Sequence, residues 1–151
     1  MQKHVSCILM VLLAIVVAGC NQRSQDTADG TGGIPPKETD AATLAMGEKI
    51  YRDNCAKCHG NDAQGDPQWR KVGADGQYPP PPLNGTGHSW HHSRAVLHDI
   101  IKNGSPPGQG NMPAWGGKLS DAQIDAVISY IQSLWPDDVY AAWYAMQQNN
   151  Q

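Results

Sequence analysis

Apolar positions change their period along this chain, and each period marks a different kind of segment. Val5 to Val17 is an almost unbroken apolar run. It is shorter than the roughly 20 residues a membrane-spanning helix needs. Residues 21–38 are polar and Gly-rich and end around Pro35-Pro36, the composition of a disordered tether. A helical period then begins. Leu44, Gly47, Tyr51 and Cys55 fall on one stripe, predicting a first helix over about 40–54 with Asp40 or Thr39 as N-cap. Glycine inside a helix costs about 1 kcal/mol against alanine, so Gly47 points to a close helix contact. Residues 61–82 read as loop and finish in Pro79-Pro80-Pro81-Pro82, which is extended chain. Ser93 can cap a helix through about Lys102, with Val96, Leu97, Ile100 and Ile101 inward and Asn103-Gly104 closing it. A second Gly/Pro loop spans 105–118. Ser120 and Gln123 form a capping box ahead of Ile124, Val127, Ile128, Ile131 and Leu134, and Pro136 stops that helix. Residues 137–148 add a terminal helix with Val139, Trp143 and Met146 on one side and a fraying end. Helices joined by long loops, without convincing strands, predict an all-α fold.

The densest chemistry lies at the end of the first helix. Cys55-Ala56-Lys57-Cys58-His59 reads C-x-x-C-H, the pattern for covalent haem attachment. Cysteines three apart lie on one helical turn, where their sulfurs can bond the two vinyl edges of a porphyrin. His59 then follows beneath the ring as an iron ligand. Gly60 gives the chain a tight exit. Two other chemistries use the same residues. Cys55 and Cys58 match a thioredoxin-like redox pair, which needs βαβ units. Cys55, Cys58, His88 and His92 make a formal Cys₂His₂ zinc set, with a gap much longer than a standard finger has. Met112 is an apolar side chain in a polar loop, stiffened by Pro113. It reads either as a plug over the core or as a thioether ligand opposite His59. The cluster His88, His91 and His92 reads as loop surface, as donors to haem propionates, or as a site for copper or a similar metal.

The N-terminus adds a location. Lys3, the apolar run and Val17-Ala18-Gly19-Cys20 make residues 1–20 a signal segment ending in a sequence similar to the bacterial lipobox, whose cysteine is lipidated. Cys7 lies inside that segment. Cys20 takes lipid, Cys55 and Cys58 take haem, and no cysteine is left for a disulfide. Losing Lys3 leaves 10 basic against 14 acidic residues, a formal charge of −4. That balance has no basic footprint for nucleic acid. The chain has no Phe, so a large apolar cofactor is a natural way to complete its core.

The order of elements resembles class I cytochrome c over about residues 41–135. Gly47-x₃-Tyr51-x₃-Cys55 resembles the family's first helix, which packs on the last one, where Val127 and Tyr130 stand. Pro81-Pro82-Leu83-Asn84-Gly85 looks like the family's P-x-L-x-G segment. The resemblance implies a three-or-more-helix fold around one covalent haem c. It also implies that the Pro81 carbonyl accepts the Nδ1–H of His59, and that Met112 is the sixth ligand. Met46 and Met146 lie outside the matching positions. The histidine cluster and the chain after Leu134 depart from the simple family pattern.

Iron held by a nitrogen and a thioether has no open position for substrate, which suits outer-sphere electron transfer rather than catalysis. The expectation is therefore a monohaem electron carrier, not an enzyme. Residues 1–20 would be its signal segment, 21–38 its tether, 39–135 the cytochrome domain and 136–151 a helical extension. It would be lipid-anchored on the periplasmic side of a bacterial membrane. Its partners would be redox proteins: a membrane oxidase, a dehydrogenase or another cytochrome. The alternatives are an open-site haem protein (gas sensor or peroxidase) and copper handling by His88, His91 and His92.

Overall fold

A computed structural model describes residues 36–149, so the apolar run, Cys7, Cys20 and most of the Gly-rich stretch lie outside the described residues. Helix α1 spans Ala41–Ile50, and the Asp40 carboxylate accepts the Thr43 N–H as its N-cap. The chain then widens into a π turn at Tyr51–Cys55 and returns to α geometry as α2, Ala56–His59. Helix α3 is Arg94–Asn103, α4 is Asp121–Ser133 and α5 is Asp137–Gln148; a 3₁₀ turn at Ser89–His91 precedes α3. The described residues contain no strand. The described fold is all-α, as the periodicity and the resemblance predict.

The α1–α4 crossing organises the core. A Cβ on Gly47 would collide with the Ala126 carbonyl oxygen and would stand 2.9 Å from Tyr130 Cβ, so only glycine admits this approach. Tyr51 is fully buried against Tyr130, with ring centroids 5.4 Å apart, and its hydroxyl donates to the Gly60 carbonyl at 2.8 Å. Burial raises the Tyr51 pKa well above the usual tyrosine value. Helix α4 has its full capping box, with Ser120 and Gln123 each bonded to the other's backbone N–H. Its buried face carries Ile124, Val127, Ile128 and Ile131.

Two details depart from the sequence expectation. The first helix is not one uninterrupted α-helix over 40–54, because the π turn intervenes. Val96 is 41% exposed, so the inward face of α3 is Leu97, Ile100 and Ile101 alone. Helix α5 packs closely: Trp143 is buried, stacks edge-on with Trp135 at 5.9 Å and donates its Nε1–H to the His92 carbonyl at 2.9 Å. Lys37 reaches the Trp135 carbonyl and, at 2.7 Å, Asp137, tying residues beside Pro36 to the start of α5. No helix among the described residues is long and apolar enough to cross a membrane.

Candidate cofactor site

Between α3, α4 and the two long loops lies an apolar cavity of about 550 Å³. That volume falls within the roughly 300–1,000 Å³ of small-molecule and cofactor sites. Helix α3 lines it with Leu97, Ile100 and Ile101, and α4 with Val127, Ile128 and Ile131. Cys55, Cys58, His59, Pro81 and Met112 reach the same cavity. The residues singled out by C-x-x-C-H and by the loop methionine are thus brought together, from elements up to 57 positions apart in sequence. Of the described methionines, Met112 alone lines the cavity; Met46 is 40% exposed on α1.

His59 is buried, and its Nδ1 lies 2.9 Å from the Pro81 carbonyl oxygen. A carbonyl only accepts, so Nδ1 carries the proton and Nε2 keeps a free lone pair. Burial pushes the His59 pKa down, against the opposing effect of the Pro81 bond, which keeps the ring neutral. The Pro81 carbonyl is itself held from behind. Asp66 N–H donates to Pro80 O, and Leu83 N–H donates to Ala63 O, both at 2.8 Å. Gly65, at φ +62°, lies so close that a Cβ there would meet the Pro81–Pro82 peptide. Sequence reading missed Gly65 and the buried Ala63, which has φ +54°; the one local signal was a glycine six residues after the histidine.

Cys55 and Cys58 are free thiols, Cys55 half-buried and Cys58 exposed. Burial first, and then the neighbouring Cys58, push the Cys55 thiol up to about 11. Across the cavity, Ser105 brackets Met112. Its N–H donates to the Met112 carbonyl at 3.0 Å, and its Oγ accepts the Met112 N–H at 3.3 Å. The methionine loop is tied to the proline loop by Gly110 N–H to Gln77 and by Asn111 to Asp75.

Other ligand sets do not assemble. Among the described residues, no three His, Cys, Asp or Glu side chains stand close enough to hold a metal ion. This corrects both the copper reading of His88, His91 and His92 and the zinc reading of Cys55, Cys58, His88 and His92. The histidines meet aromatic rings instead. His88 stacks on Trp69 at 5.1 Å, His92 lies edge-on to His88 at 5.3 Å, and His91 lies edge-on to Trp90 at 3.9 Å. Burial, then His92, His91 and Arg70, lower the His88 pKa. A thioredoxin-like reading fails as well, since the described chain has no βαβ unit.

The residues present fit haem. Two thiols stand beside an apolar cavity, with a neutral imidazole offering Nε2 and a thioether lining the same space. Comparison with known proteins agrees. The family described as cytochrome c oxidase, cbb3-type, subunit III matches residues 42–131. The cbb3-type cytochrome c oxidase subunit CcoP of Azospirillum sp. (strain B510) is 37% identical over 98 residues, 65% of this chain and 31% of that protein. Subunit FixP of Bradyrhizobium sp. (strain ORS 278) is 36% identical over 104 residues, 68% and 30% of the two chains. Subunit FixP of Azorhizobium caulinodans is 35% identical over 111 residues, 72% and 32%. The match thus spans about a third of each relative's length. No solved structure matches. With 90 consecutive residues matched around the C-x-x-C-H helix and the methionine loop, the chain belongs to the cbb3-type cytochrome c oxidase subunit III family.

Proposed function

We propose that this protein is a monohaem c-type cytochrome of the class I kind that carries electrons by outer-sphere transfer and performs no catalysis of its own. The observation that carries the reading is His59: a buried, neutral imidazole oriented by the Pro81 carbonyl, in a cavity that Cys55, Cys58 and Met112 also line. Cys55 and Cys58 would hold the haem by thioether bonds, and His59 and Met112 would supply its iron ligands. A bound haem supplies one-electron exchange between ferrous and ferric iron. The chain's own residues do the rest. Pro81 fixes the His59 ring plane and raises its basicity as a ligand. The walls from α3 and α4 exclude water, which favours the uncharged cofactor state and a higher potential. The Ser105 bracket and the two inter-loop hydrogen bonds hold the Met112 loop in place, so that its thioether would be positioned to ligate the iron.

The lipobox-like Cys20 and the polar tether support a lipid-anchored form on the periplasmic side of the membrane. The names of the relatives support a membrane oxidase as one electron partner. An oxidised and reduced optical spectrum of protein matured with haem tests the core of the proposal. The expected result is low-spin haem that survives denaturing extraction on the polypeptide, with a weak far-red thioether band in the ferric form and no rapid carbon monoxide binding. Met112→Ala is expected to remove the band and admit carbon monoxide. Rapid binding by the unmutated protein would instead mean an open site, and a gas-binding or peroxidase activity.

A further inference from the structure

The π turn at Tyr51–Cys55 lies directly before the attachment motif and changes which of its residues face inward. In α1 the buried positions are Gly47 and Ile50, and Tyr51 continues that stripe with no exposed surface. An α-helix advances about 100° per residue. Extending the stripe without interruption places residues 54 and 58 at its centre, with residue 56 on the opposite face and residue 59 turned well outward. The structure has the reverse arrangement. Ala56 and His59 are each 8% exposed, whereas Cys58 is exposed. The offset is one residue, which is what a single π turn inserts. The hydrogen bonds mark it: Ala56 N–H donates to Tyr51 O, five residues back, and Gly60 N–H then returns to Ala56 O at 2.8 Å, four residues back. Asn54 supports the widened turn by donating its side-chain amide to the Ile50 carbonyl at 3.0 Å.

We infer that this π turn is a register device: by rotating the motif one position against α1, it turns His59 into the cavity and leaves Cys58 at the rim. The assignment rests on the haem reading above. It gives Tyr51–Cys55 a positioning role distinct from the contacts its side chains make. Among the described residues, Arg52 and Asp53 are exposed and pair within the helix, with Glu48 and Lys49, so the backbone count carries the role. Drawn as uninterrupted α-helix, the eight positions from Tyr51 would carry His59 about 120° away from the centre of the Gly47–Ile50–Tyr51 stripe; the π turn absorbs one of them, and the remaining seven come within about 20° of two full turns.

Deleting Asp53 tests this in protein matured with haem, in a Met112→Ala background that leaves ferrous iron open on the distal side. The readout is the iron–histidine stretching band in the resonance Raman spectrum, which reports His59 itself. The band is expected in Met112→Ala, in Met112→Ala with Asp53→Ala, and also when Asp53 is deleted, because a regular α-turn then keeps the same register; it is expected to be lost when one alanine is inserted after Asp53, with covalent haem and helical circular dichroism retained. Loss of the band on deletion with the helical signal intact, or its retention at full intensity on insertion, overturns the inference. Should the deletion lose its helical signal, Asn54→Ala decides: a weakened or shifted band supports the register role, and a band identical to the parent's refutes it. Absence of covalent haem in the unmutated protein would instead sink the haem reading, so the two failures are distinct.

Discussion

Gly65 shows how much one backbone position can decide. It combines φ +62° with contact against the Pro81–Pro82 peptide, whereas Gly76 has φ +75° and no neighbour within 4 Å. Alanine at either position adopts the left-handed region at a cost of about 1–2 kcal/mol. At Gly65 the overpacking adds roughly 1–3 kcal/mol more, and the group displaced is the carbonyl that orients His59. Chemical denaturation is expected to rank Gly65→Ala well below Gly76→Ala, and equal losses would refute the packing account. The cysteines allow a second check. With the Cys55 pKa pushed to about 11, roughly one thiol in a thousand is ionised at pH 8. Iodoacetamide is expected to label haem-free protein at the exposed Cys58 first, with Cys55 at least tenfold slower by peptide mass spectrometry; the opposite order would contradict the rotation imposed by the π turn. His59 gives a pH dependence of definite sign. Its folded pKa is depressed, so the unfolded chain binds more protons below the ordinary histidine value of about 6.5. Stability of the haem-free protein is expected to be steady above that value, to fall as pH drops through it, and to level off below the folded pKa. Urea unfolding of the parent and of His59→Gln at several pH values checks this; an equal slope in both removes His59 as its source.

At the scale of elements, the parts written in local rules were legible in the sequence. The Ser120–Gln123 capping box, the Asp40 and Ser93 caps and the apolar stripe of α4 are set by residues within one turn of each other, so reading them requires no tertiary knowledge. Gly47 was legible for a related reason: a costly residue in a helix implies a contact that needs it. The π turn left no such mark, because Tyr-Arg-Asp-Asn-Cys suits an α-helix equally well and the extra residue is selected by the simultaneous burial of Tyr51 and His59. Val96 fits a helical stripe on paper, but the cavity wall needs only three side chains from α3. The histidine cluster and α5 were visible as departures from the family pattern, and the structure joins them. Trp143 of α5 is buried against Trp135 and fixes the His92 carbonyl that follows the 3₁₀ turn. Trp143→Ala is expected to cost about 3–5 kcal/mol, the range for a buried aromatic side chain, and to loosen residues 88–92. Thermal unfolding measures the first effect and amide hydrogen exchange the second. A variant with unchanged melting temperature and unchanged exchange at His91 and His92 would show α5 to be dispensable for that turn.

For the whole molecule, the proposed electron-transfer role depends on the protein staying near its partners. Net charge offers little steering: the chain carries a formal net charge of −3 at pH 7, which is screened beyond roughly 8–10 Å at physiological salt. Attachment is more effective, because a tether replaces diffusion through a compartment with a local concentration set by its length. If residues 21–38 act as the proposed tether, eighteen residues would span about 20–25 Å by the square-root rule; Lys37, at their end, pairs with Asp137. Under the proposed lipid anchoring, that reach would let the domain turn toward a membrane-embedded partner without leaving the surface. Cys20→Ala removes the proposed anchor while leaving the cofactor site untouched. It is expected to move haem-stained protein from the membrane fraction to the soluble periplasmic fraction, or to leave an unprocessed precursor, with an unchanged optical spectrum. Electron delivery from the membrane, followed as the rate of haem reduction in spheroplasts, is expected to fall at least tenfold at equal protein level. Retention of the Cys20→Ala protein in washed membranes, together with an unmutated N-terminus that carries no acyl chain by mass spectrometry, would refute lipid anchoring and assign membrane association to protein contacts alone.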